Sequence, residues 1–371
     1  KKLNSKKKIF YWSPFLVPIA TPRAVVNSAY AMKKFSKNNN CHIINFFGEF
    51  NSFKEELNEY KIDIVNYFNN TFIKLLPKYG KIKSRFSFIL IFIFSFFPLK
   101  KLLTREKPDY LVIHLITSLP LILLLIFNFK TKFILRISGL PKLNIFRKFL
   151  WTIAFKKIHL ITCPTINTMN YMRNLNIVSP EKIQLLYDPI INIKEIKNKK
   201  LLGNKLPKFE NKKYFLAAGR LTKQKNFLFL CKAFKEILPR YPEVNLLIAG
   251  DGEEKEKIKK YINENNLQNK IFLLGFTKNI FYYLKNSEGF ILSSLWEDPG
   301  FVLVEAAFSR TPILSSDCEN GPKELVKDNL NGILFETNSV KDFKKKFELF
   351  VETKRLSNKL ALNGLKMSKK F

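Results

Sequence analysis

Cysteine and histidine are both scarce in this chain of 371 residues. The four cysteines lie far apart without a paired spacing, and there are only three histidines: Cys41, Cys163, Cys231, Cys318, His42, His114 and His159. Four widely spaced cysteines argue against a zinc site and against a disulfide framework, and an Asp-x-Asp metal signature is also missing. We therefore expect no metal cofactor and no disulfide framework, and isolated thiols of this kind are typical of a reducing cytosol.

Acidic residues are the second shortage. Only 30 acidic residues stand against 64 basic ones, which gives a formal net charge of +34. Residues 64–157 hold 17 basic residues but only two acidic ones, Glu106 and Asp109. Because 46% of the residues are hydrophobic, the chain is globular rather than disordered. A surface this basic favours an anionic partner, which could be a membrane, a nucleic acid or a phosphate-rich substrate.

Long apolar runs of the kind that cross a membrane are also lacking. Phe86–Leu99 has 14 uncharged residues, fewer than the roughly 20 that a bilayer requires. The sequence therefore predicts either an interfacial membrane segment or a buried helix there. Tyr110–Phe129 has 20 uncharged residues, but Thr117–Pro120 interrupts it with a helix-start signal. We predict a buried strand over Tyr110–Leu115, followed by a helix over Leu119–Phe127.

The chain is long enough for two domains with full hydrophobic cores. Strand-like apolar runs alternate with helical ones in both halves, and this order predicts parallel sheets of the doubly wound, Rossmann-like α/β class. Residues 191–212 are rich in lysine and asparagine, and we predict that they link a domain at 1–190 to a domain at 213–371. The basic start, Lys1–Lys8, precedes a predicted strand and loop, so we expect no secretory signal.

One stretch combines a strand, a turn and a helix start around two glutamates. Gly289–Leu292 is predicted as the strand, the turn follows, and Val302–Phe308 is predicted as the helix. Three backbone amides would then point toward one spot that favours phosphate: those of Gly300, Phe301 and Val302. Glu297 and Glu305 flank that spot, and carboxylates accept hydrogen bonds from hydroxyl pairs. The stretch therefore suits a ligand that is part phosphate and part polyol, such as a nucleotide sugar.

A second phosphate-binding pattern follows the predicted strand Tyr214–Ala218. A tight turn at Gly219 precedes Arg220 and Lys225, and a helix is predicted from Phe227 to Leu238. Arginine offers a planar fork and lysine a point charge, so the two together suit a diphosphate. The next predicted strand ends in two glycines that permit close backbone approach, Gly250 and Gly252.

Five features in this order resemble the motifs of the retaining glycosyltransferases of family 4 within glycosyl transferases group 1: Arg220/Lys225, Gly250/Gly252, Gly275, Glu297/Glu305 and Gly321. The resemblance covers residues 214–336 and implies the GT-B fold, in which two Rossmann-like domains face each other across a cleft. It also implies that the second domain binds a nucleotide sugar, with Phe276 beside the base and Glu305 at the ribose. Glu297, Arg220 and Lys225 are then the expected catalytic residues, and no metal ion is expected.

The first half of the chain resembles the family only weakly. Its first loop, Ile19–Pro22, lacks the usual glycine pair, and Ser138 stands where many relatives have a histidine. The expected acceptor-side residues lie at predicted strand ends: His114, Ser118, Arg136 and Ser138. His114 could instead have a structural role. The chain stops near the point where a final helix would cross back to the first domain, so we expect that helix to be short or missing.

The expected function is transfer of a UDP-linked hexose or N-acetylhexosamine to a lipid-linked, lipopolysaccharide or polysaccharide acceptor in bacteria. The expected partners are a nucleotide sugar, a glycan or glycolipid acceptor and an anionic membrane surface, but no nucleic acid. We expect the protein to be cytoplasmic and peripheral at the inner face of the cell membrane. Two alternatives stay open: an epimerase or phosphorylase of the same fold, and a basic membrane- or nucleic-acid-binding protein without catalysis.

Overall fold

The computed structural model describes residues 6–16, 20–36, 39–68, 72–77, 81–141, 143–193, 196, 209, 212–277 and 279–371. The chain divides into two compact units, Lys1–Pro189 and Ile190–Phe371. Most of the predicted linker lies outside the described residues, as does Ile19 of the first loop. Two linker residues that are described, Ile196 and Phe209, are buried in the core of the second unit.

The first unit is built on one parallel sheet. Its strands are β1 (Lys7–Trp12), β2 (Asn39–Asn45), β3 (Asp63–Asn66), β4 (Tyr110–Ile113), β5 (Lys132–Arg136), β6 (Leu160–Cys163) and β7 (Ile183–Leu185). The strand order is β3-β2-β1-β4-β5-β6-β7, which is the doubly wound arrangement. Because helices cover both faces, the central strands are largely apolar, as predicted for Tyr110–Leu115.

The helices of the first unit are α1 (Ala20–Phe35), α2 (Lys54–Glu59), α3 (Phe72–Leu75), α4 (Lys81–Glu106), α5 (Ser118–Ile126), α6 (Ile145–Lys157) and α7 (Ile166–Asn174). Asn144 begins α6 by accepting a hydrogen bond from the Arg147 amide. Helix α1 begins at Ala20, within the segment Ile19–Pro22 that the sequence predicts as the first loop. Pro22 therefore lies in the first turn of α1, where the missing amide proton costs no intrahelical hydrogen bond.

Helix α4 contains the whole uncharged run Phe86–Leu99. Within the described residues, it is the one helix long and apolar enough to cross a membrane by length and composition. One side of it is buried in the core of the first unit, through Ile91, Leu99 and Leu103. That packing is the pattern of a core helix in an α/β domain, which was one of the two predictions for this run.

The second unit repeats the same plan. Its strands are β8 (Tyr214–Ala218), β9 (Asn245–Ala249), β10 (Ile271–Gly275), β11 (Gly289–Leu292), β12 (Ile313–Ser316) and β13 (Ile333–Phe335), all parallel in the order β10-β9-β8-β11-β12-β13. The predicted strands Tyr214–Ala218 and Gly289–Leu292 are confirmed at both ends. These two strands are neighbours. The chain reverses its direction of winding between them, and ligands of such sheets bind at this point, beyond the carboxyl ends of the strands.

The helices of the second unit are α8 (Phe227–Lys235), α9 (Lys255–Glu264), α10 (Ile280–Asn286), α11 (Phe301–Phe308), α12 (Pro322–Leu325), α13 (Val340–Glu352) and α14 (Lys354–Ser368). Helix α14 packs against α11 within this unit, where Gly364 lies beside Ala307. Ser339 begins α13 by accepting a hydrogen bond from the Asp342 amide.

Candidate functional site

The two phosphate-binding patterns meet at the carboxyl ends of β8 and β11. The Leu295 amide donates to the Gln224 carbonyl oxygen at 2.8 Å, and the Gln224 side-chain amide donates to the Trp296 carbonyl oxygen at 2.9 Å. Ser293 Oγ donates to the Lys225 carbonyl oxygen at 2.9 Å. The loop after β8 and the loop after β11 are therefore joined directly, although about 70 residues of chain separate them.

Lys225 and Glu297 form an ion pair at this junction. Lys225 Nζ lies 2.5 Å from Glu297 Oε1, and Ser294 Oγ donates to the same oxygen at 2.5 Å. The Glu297 side chain is 4% exposed and that of Lys225 is 15% exposed. Water screens an ion pair this deeply buried only weakly. Each charge therefore needs the other to offset the cost of its removal from water. Two of the predicted catalytic residues are therefore in direct contact.

The predicted glycines allow the neighbouring loops to pack backbone on backbone. A Cβ atom at Gly250 would lie less than 3.0 Å from the Gly219 carbonyl oxygen, and one at Gly252 would lie 2.5 Å from the Leu221 carbonyl oxygen. The Gly219 amide donates to the Ala249 carbonyl oxygen at 3.0 Å, and the Gly250 amide donates to the Gly275 carbonyl oxygen at 2.8 Å. Any side chain at Gly250 or Gly252 would separate these loops.

Helix α11 begins immediately after the Glu297 turn. Gly300 precedes it with a φ of +90°, a conformation that favours glycine. The amides of Phe301 and Val302 lie in the first turn, where no intrahelical partner exists for them. Glu305 is half-buried one turn further along the same helix. The geometry is therefore the strand, turn and helix start that the sequence predicts.

A third loop, after β12, supports the Glu297 turn. Asn320 Nδ2 donates to the Glu297 carbonyl oxygen at 3.1 Å. A Cβ atom at Gly321 would lie less than 3.0 Å from the Pro299 carbonyl oxygen, so only glycine fits there. The sequence reasoning named Gly321 through the family resemblance but missed Asn320 and Ser294, because a short polar side chain in a loop gives no distinguishing signal.

Arg220 and Phe276 are the exposed members of the predicted donor site. The exposed Arg220 guanidinium has no hydrogen-bond or ion-pair partner among the described residues. Phe276 is 72% exposed. Within the same described ranges, no cluster of three or more histidine, cysteine, aspartate or glutamate side chains is placed to hold a metal ion. An exposed guanidinium beside a glycine turn is available to an anionic ligand.

On the first unit, the predicted acceptor-side residues follow β4 and β5. Arg136 is buried and donates from Nε to Asp188 Oδ1 at 3.2 Å and from Nη1 to the Leu186 carbonyl oxygen at 2.5 Å. The Arg136 guanidinium therefore binds the segment that follows β7 and is not available to a ligand. Ser118 is the half-buried first residue of α5.

His114 is buried directly after β4. Burial, reinforced by the positive charge of Arg136, lowers the pKa of the His114 imidazole to about 3. His114 Nε2 has no hydrogen-bond partner among the described residues, and neither does Ser138 Oγ beyond β5. Buried polar atoms without partners are uncommon in folded proteins. They show that this edge of the sheet has hydrogen-bonding capacity that the described part of the protein does not use.

Two residues at the same edge were missed by the sequence reasoning, Ser13 after β1 and Glu49 after β2. Ser13 Oγ and Glu49 Oε1 are buried without a hydrogen-bond partner in the described ranges, while Glu49 Oε2 accepts from the Phe47 amide at 2.9 Å. Burial raises the pKa of the Glu49 carboxyl to about 7. The sequence does not distinguish Glu49 from the acidic residues that follow it, Glu55, Glu56 and Glu59, because its burial depends on the fold.

Comparison with known proteins finds a family model that matches most of the second unit. Residues 198–367 match the model of the family described as glycosyl transferases group 1. An uncharacterized glycosyltransferase of Methanocaldococcus jannaschii is 33% identical over 247 residues, which is 62% of this chain and 61% of that protein. A UDP-Gal:alpha-D-GlcNAc-diphosphoundecaprenol alpha-1,3-galactosyltransferase of Escherichia coli is 34% identical over 177 residues, 45% of this chain and 44% of that protein. The chain thus spans roughly half the length of these relatives.

A solved structure extends the likeness to the whole chain. HepE of Anabaena, crystallised in complex with UDP and glucose, matches with a TM-score of 0.70 at 17% identity and covers 98% of this chain and 95% of that one. At 17% identity this match shows the fold alone. Together with the two parallel sheets, it identifies the fold as GT-B.

Proposed function

We propose that the protein belongs to glycosyl transferases group 1, whose family model matches residues 198–367. In this proposal it is a retaining glycosyltransferase of the family 4 type, and it transfers a UDP-linked hexose or N-acetylhexosamine to a lipid-linked, lipopolysaccharide or polysaccharide acceptor. The name of the Escherichia coli relative includes both UDP-Gal and a diphosphoundecaprenol-linked acceptor, and HepE was crystallised with UDP. These names support the choice of donor and acceptor class.

The observation that carries the proposal is the junction of the β8 and β11 loops at Lys225 and Glu297. The Lys225 ammonium has three donors, so it can keep its contact with Glu297 Oε1 and donate to the donor diphosphate as well. Both hydrogen bonds to the Glu297 carboxylate end on Oε1, which leaves Oε2 for a sugar hydroxyl. One buried pair can therefore contact the phosphate and the sugar of the same ligand.

Charge neutralisation is proposed to come from protein groups rather than from a metal ion. Negative charge grows on the diphosphate as the bond to the sugar breaks, and cations fixed in place stabilise it most at that moment. We assign this role to Lys225, the Arg220 guanidinium and the amides at the start of α11. Glu305 would accept from the ribose hydroxyls, and the backbone near Phe276 would lie beside the base.

The acceptor is proposed to bind at the carboxyl edge of the first sheet. His114, Ser118 and Ser138 would line that site, and the buried atoms without partners are its hydrogen-bonding groups. Arg136 would position the edge through Asp188 rather than touch the acceptor. For retention, the acceptor hydroxyl would attack the face from which the diphosphate departs. The new bond forms as the sugar–phosphate bond breaks, and the departing phosphate takes the proton.

The test is a thermal-shift screen of nucleotide sugars against the whole chain, because a bound donor stabilises the folded state by mass action. We expect UDP-sugars to raise the melting temperature. Product analysis by NMR, with and without added acceptor, should then show the anomeric configuration of the donor in the product. Inversion would overturn the retaining assignment, and product formation without any acceptor would favour an epimerase.

A further inference from the structure

Two helices of the first unit expose an unusual amount of apolar surface. Seven large apolar side chains on α4 and α6 are more than half exposed, and we call them the apolar shelf: Phe86, Ile89, Ile93, Phe97, Ile145, Phe146 and Phe149. Soluble proteins rarely expose large contiguous apolar patches, and where they do the patch is commonly an interaction site. The part of the shelf on α6 has no counterpart in the sequence-based predictions.

The shelf belongs to one layer of helices. Helices α4, α5 and α6 pack on the same core cluster, with α5 in contact with both others. Helix α6 follows β5, so its first turns lie toward the carboxyl edge of the sheet. The far end of α4 lies at the opposite edge, because Glu106 pairs with Lys8 in β1 at 2.6 Å. The first half of α4 therefore lies toward the carboxyl edge too, and the Phe94 ring is 6.3 Å from Phe68, just beyond β3.

The charges around the shelf are almost all of one sign. Among their described side chains, helices α4 and α6 carry eight basic residues: Arg85, Lys100, Lys101, Arg105, Arg147, Lys148, Lys156 and Lys157. The one acidic residue in these two helices is Glu106, which is paired with Lys8 and Arg105. Aromatic and aliphatic side chains among lysine and arginine suit the interface of an anionic bilayer, where rings enter the acyl boundary and cations meet headgroups.

We propose that the apolar shelf inserts into the headgroup region of an anionic lipid membrane and holds the carboxyl edge of the first sheet beside the bilayer. A second copy of this chain is a poor occupant, because two surfaces of the same positive sign repel. A nucleic acid would use the cations but would leave the apolar side chains in water. The presentation of a lipid-linked acceptor to that edge rests on the proposed function, whereas the membrane contact itself does not.

The experiment is co-sedimentation of the whole chain with vesicles of phosphatidylcholine, with and without phosphatidylglycerol. We expect binding to the anionic vesicles only, weakened by salt. The double substitution Phe146→Ser/Phe149→Ser should lower the vesicle partition coefficient by at least about tenfold, because each exposed ring contributes apolar transfer free energy to insertion. The melting temperature should not fall, because both rings are exposed in the protein.

The matched control is Phe35→Ser. Phe35 is 77% exposed, but it lies on α1, which packs with a different core cluster. This variant should bind vesicles like the wild type. The proposal is overturned if the wild type ignores anionic vesicles, if Phe35→Ser loses as much binding as the double variant, or if light scattering shows that the double variant dissolves a dimer.

Two further measurements separate this inference from the proposed function. The double variant should retain the wild-type thermal shift with UDP, and it should lose transfer only to acceptors embedded in vesicles. If vesicle binding behaves as stated while UDP produces no shift in either protein, the proposed function fails and the membrane surface stands. If UDP binds and the vesicle experiment fails, the membrane contact is refuted and the proposed function stands.

Discussion

Lys225 Nζ lies 2.5 Å from Oε1 of Glu297, and this contact joins two motifs that the sequence presents as separate. Lysine was expected at the diphosphate and glutamate at the sugar. In the structure the two side chains share one hydrogen bond, and Ser294 holds the carboxylate from another side. The ion pair therefore fixes the direction of both side chains before any ligand arrives, which lowers the cost of ordering them during binding.

The first prediction concerns the stability of this pair. Both side chains are largely buried in the structure. Removing one partner leaves the other charge buried without compensation, so Lys225→Met and Glu297→Gln should each lower the free energy of unfolding by about 3–5 kcal/mol. Urea denaturation of both single variants and the double variant measures this.

The double variant Lys225→Met/Glu297→Gln should lose less stability than the sum of the two single losses, because no charge is left without a partner. Glu319→Gln is the matched control, because the Glu319 side chain is exposed and its backbone carbonyl oxygen, which accepts from the Glu297 amide at 3.4 Å, is unchanged by the substitution. This variant should change stability by less than about 0.5 kcal/mol. If the loss in the double variant equals the sum of the two single losses, the Lys225–Glu297 contact contributes nothing to the free energy of unfolding.

The second prediction separates catalysis from folding at Arg220. Because this guanidinium is exposed and has no partner in the described ranges, Arg220→Ala should leave the melting temperature unchanged. It should lower kcat/KM for the UDP-sugar by about 100-fold, the usual loss when one fixed donor to a developing charge is removed. Lys223→Ala, an exposed cation in the same loop, is the control and should behave like the wild type.

The third prediction concerns the packed loops. Gly250→Ala should destabilise the second unit by more than about 2 kcal/mol, because the new methyl group would overlap the Gly219 carbonyl oxygen. At Gly364 in α14 the nearest atom to an added Cβ is 3.5 Å away. Gly364→Ala should therefore stabilise the helix, by about 0.5–1 kcal/mol. Thermal denaturation of the two variants gives the comparison, and equal behaviour would contradict the loop geometry.

The fourth prediction is a pH dependence that His114 gives to the first unit. Its folded pKa of about 3 lies below the ordinary value of 6.5, so the unfolded chain binds the extra proton between these values. Stability contributed by the neutral imidazole is present above pH 6.5 and is lost at about 1.4 kcal/mol per pH unit as the pH falls. Denaturant titrations at several pH values should show that His114→Asn loses this dependence.

The fifth prediction has the opposite sign and concerns Glu49. Its folded pKa of about 7 lies above the ordinary value of 4.5, so here the folded protein binds the extra proton. The contribution is fully present below pH 4.5 and declines as the pH rises to 7. In the same titrations, Glu49→Gln should remove this decline, so that stability rises more steeply with pH than in the wild type. An unchanged profile would mean that the carboxyl is already ionised in the fold.

Local patterns were enough to predict the strands Tyr214–Ala218 and Gly289–Leu292, because each is an apolar run bounded by a turn signal. They also placed Gly219, Gly250 and Gly300 in turns, and all three have a positive φ that favours glycine. The Lys225–Glu297 contact could not be predicted, since 72 residues separate the two positions and only strand order brings them together.

The apolar shelf was predicted only in part, for a related reason. Helix α6 has apolar residues on every side, so its sequence does not indicate which of them face the core. Trp151 and Phe155 are buried, while Phe146 and Phe149 are exposed. The N-terminal half offered few motifs, and Glu49 became visible as a candidate only when its burial was known.

The central claim is that Lys225 holds the diphosphate of the donor at the junction of two loops. Calorimetric titration with UDP of the wild type, Lys225→Met and Lys223→Met tests it most directly. The account predicts that the wild type and Lys223→Met bind UDP with the same Kd, whereas Lys225→Met binds at least about tenfold more weakly because a charge-assisted contact is lost. Equal affinity in all three proteins, or no binding in the wild type, would contradict it.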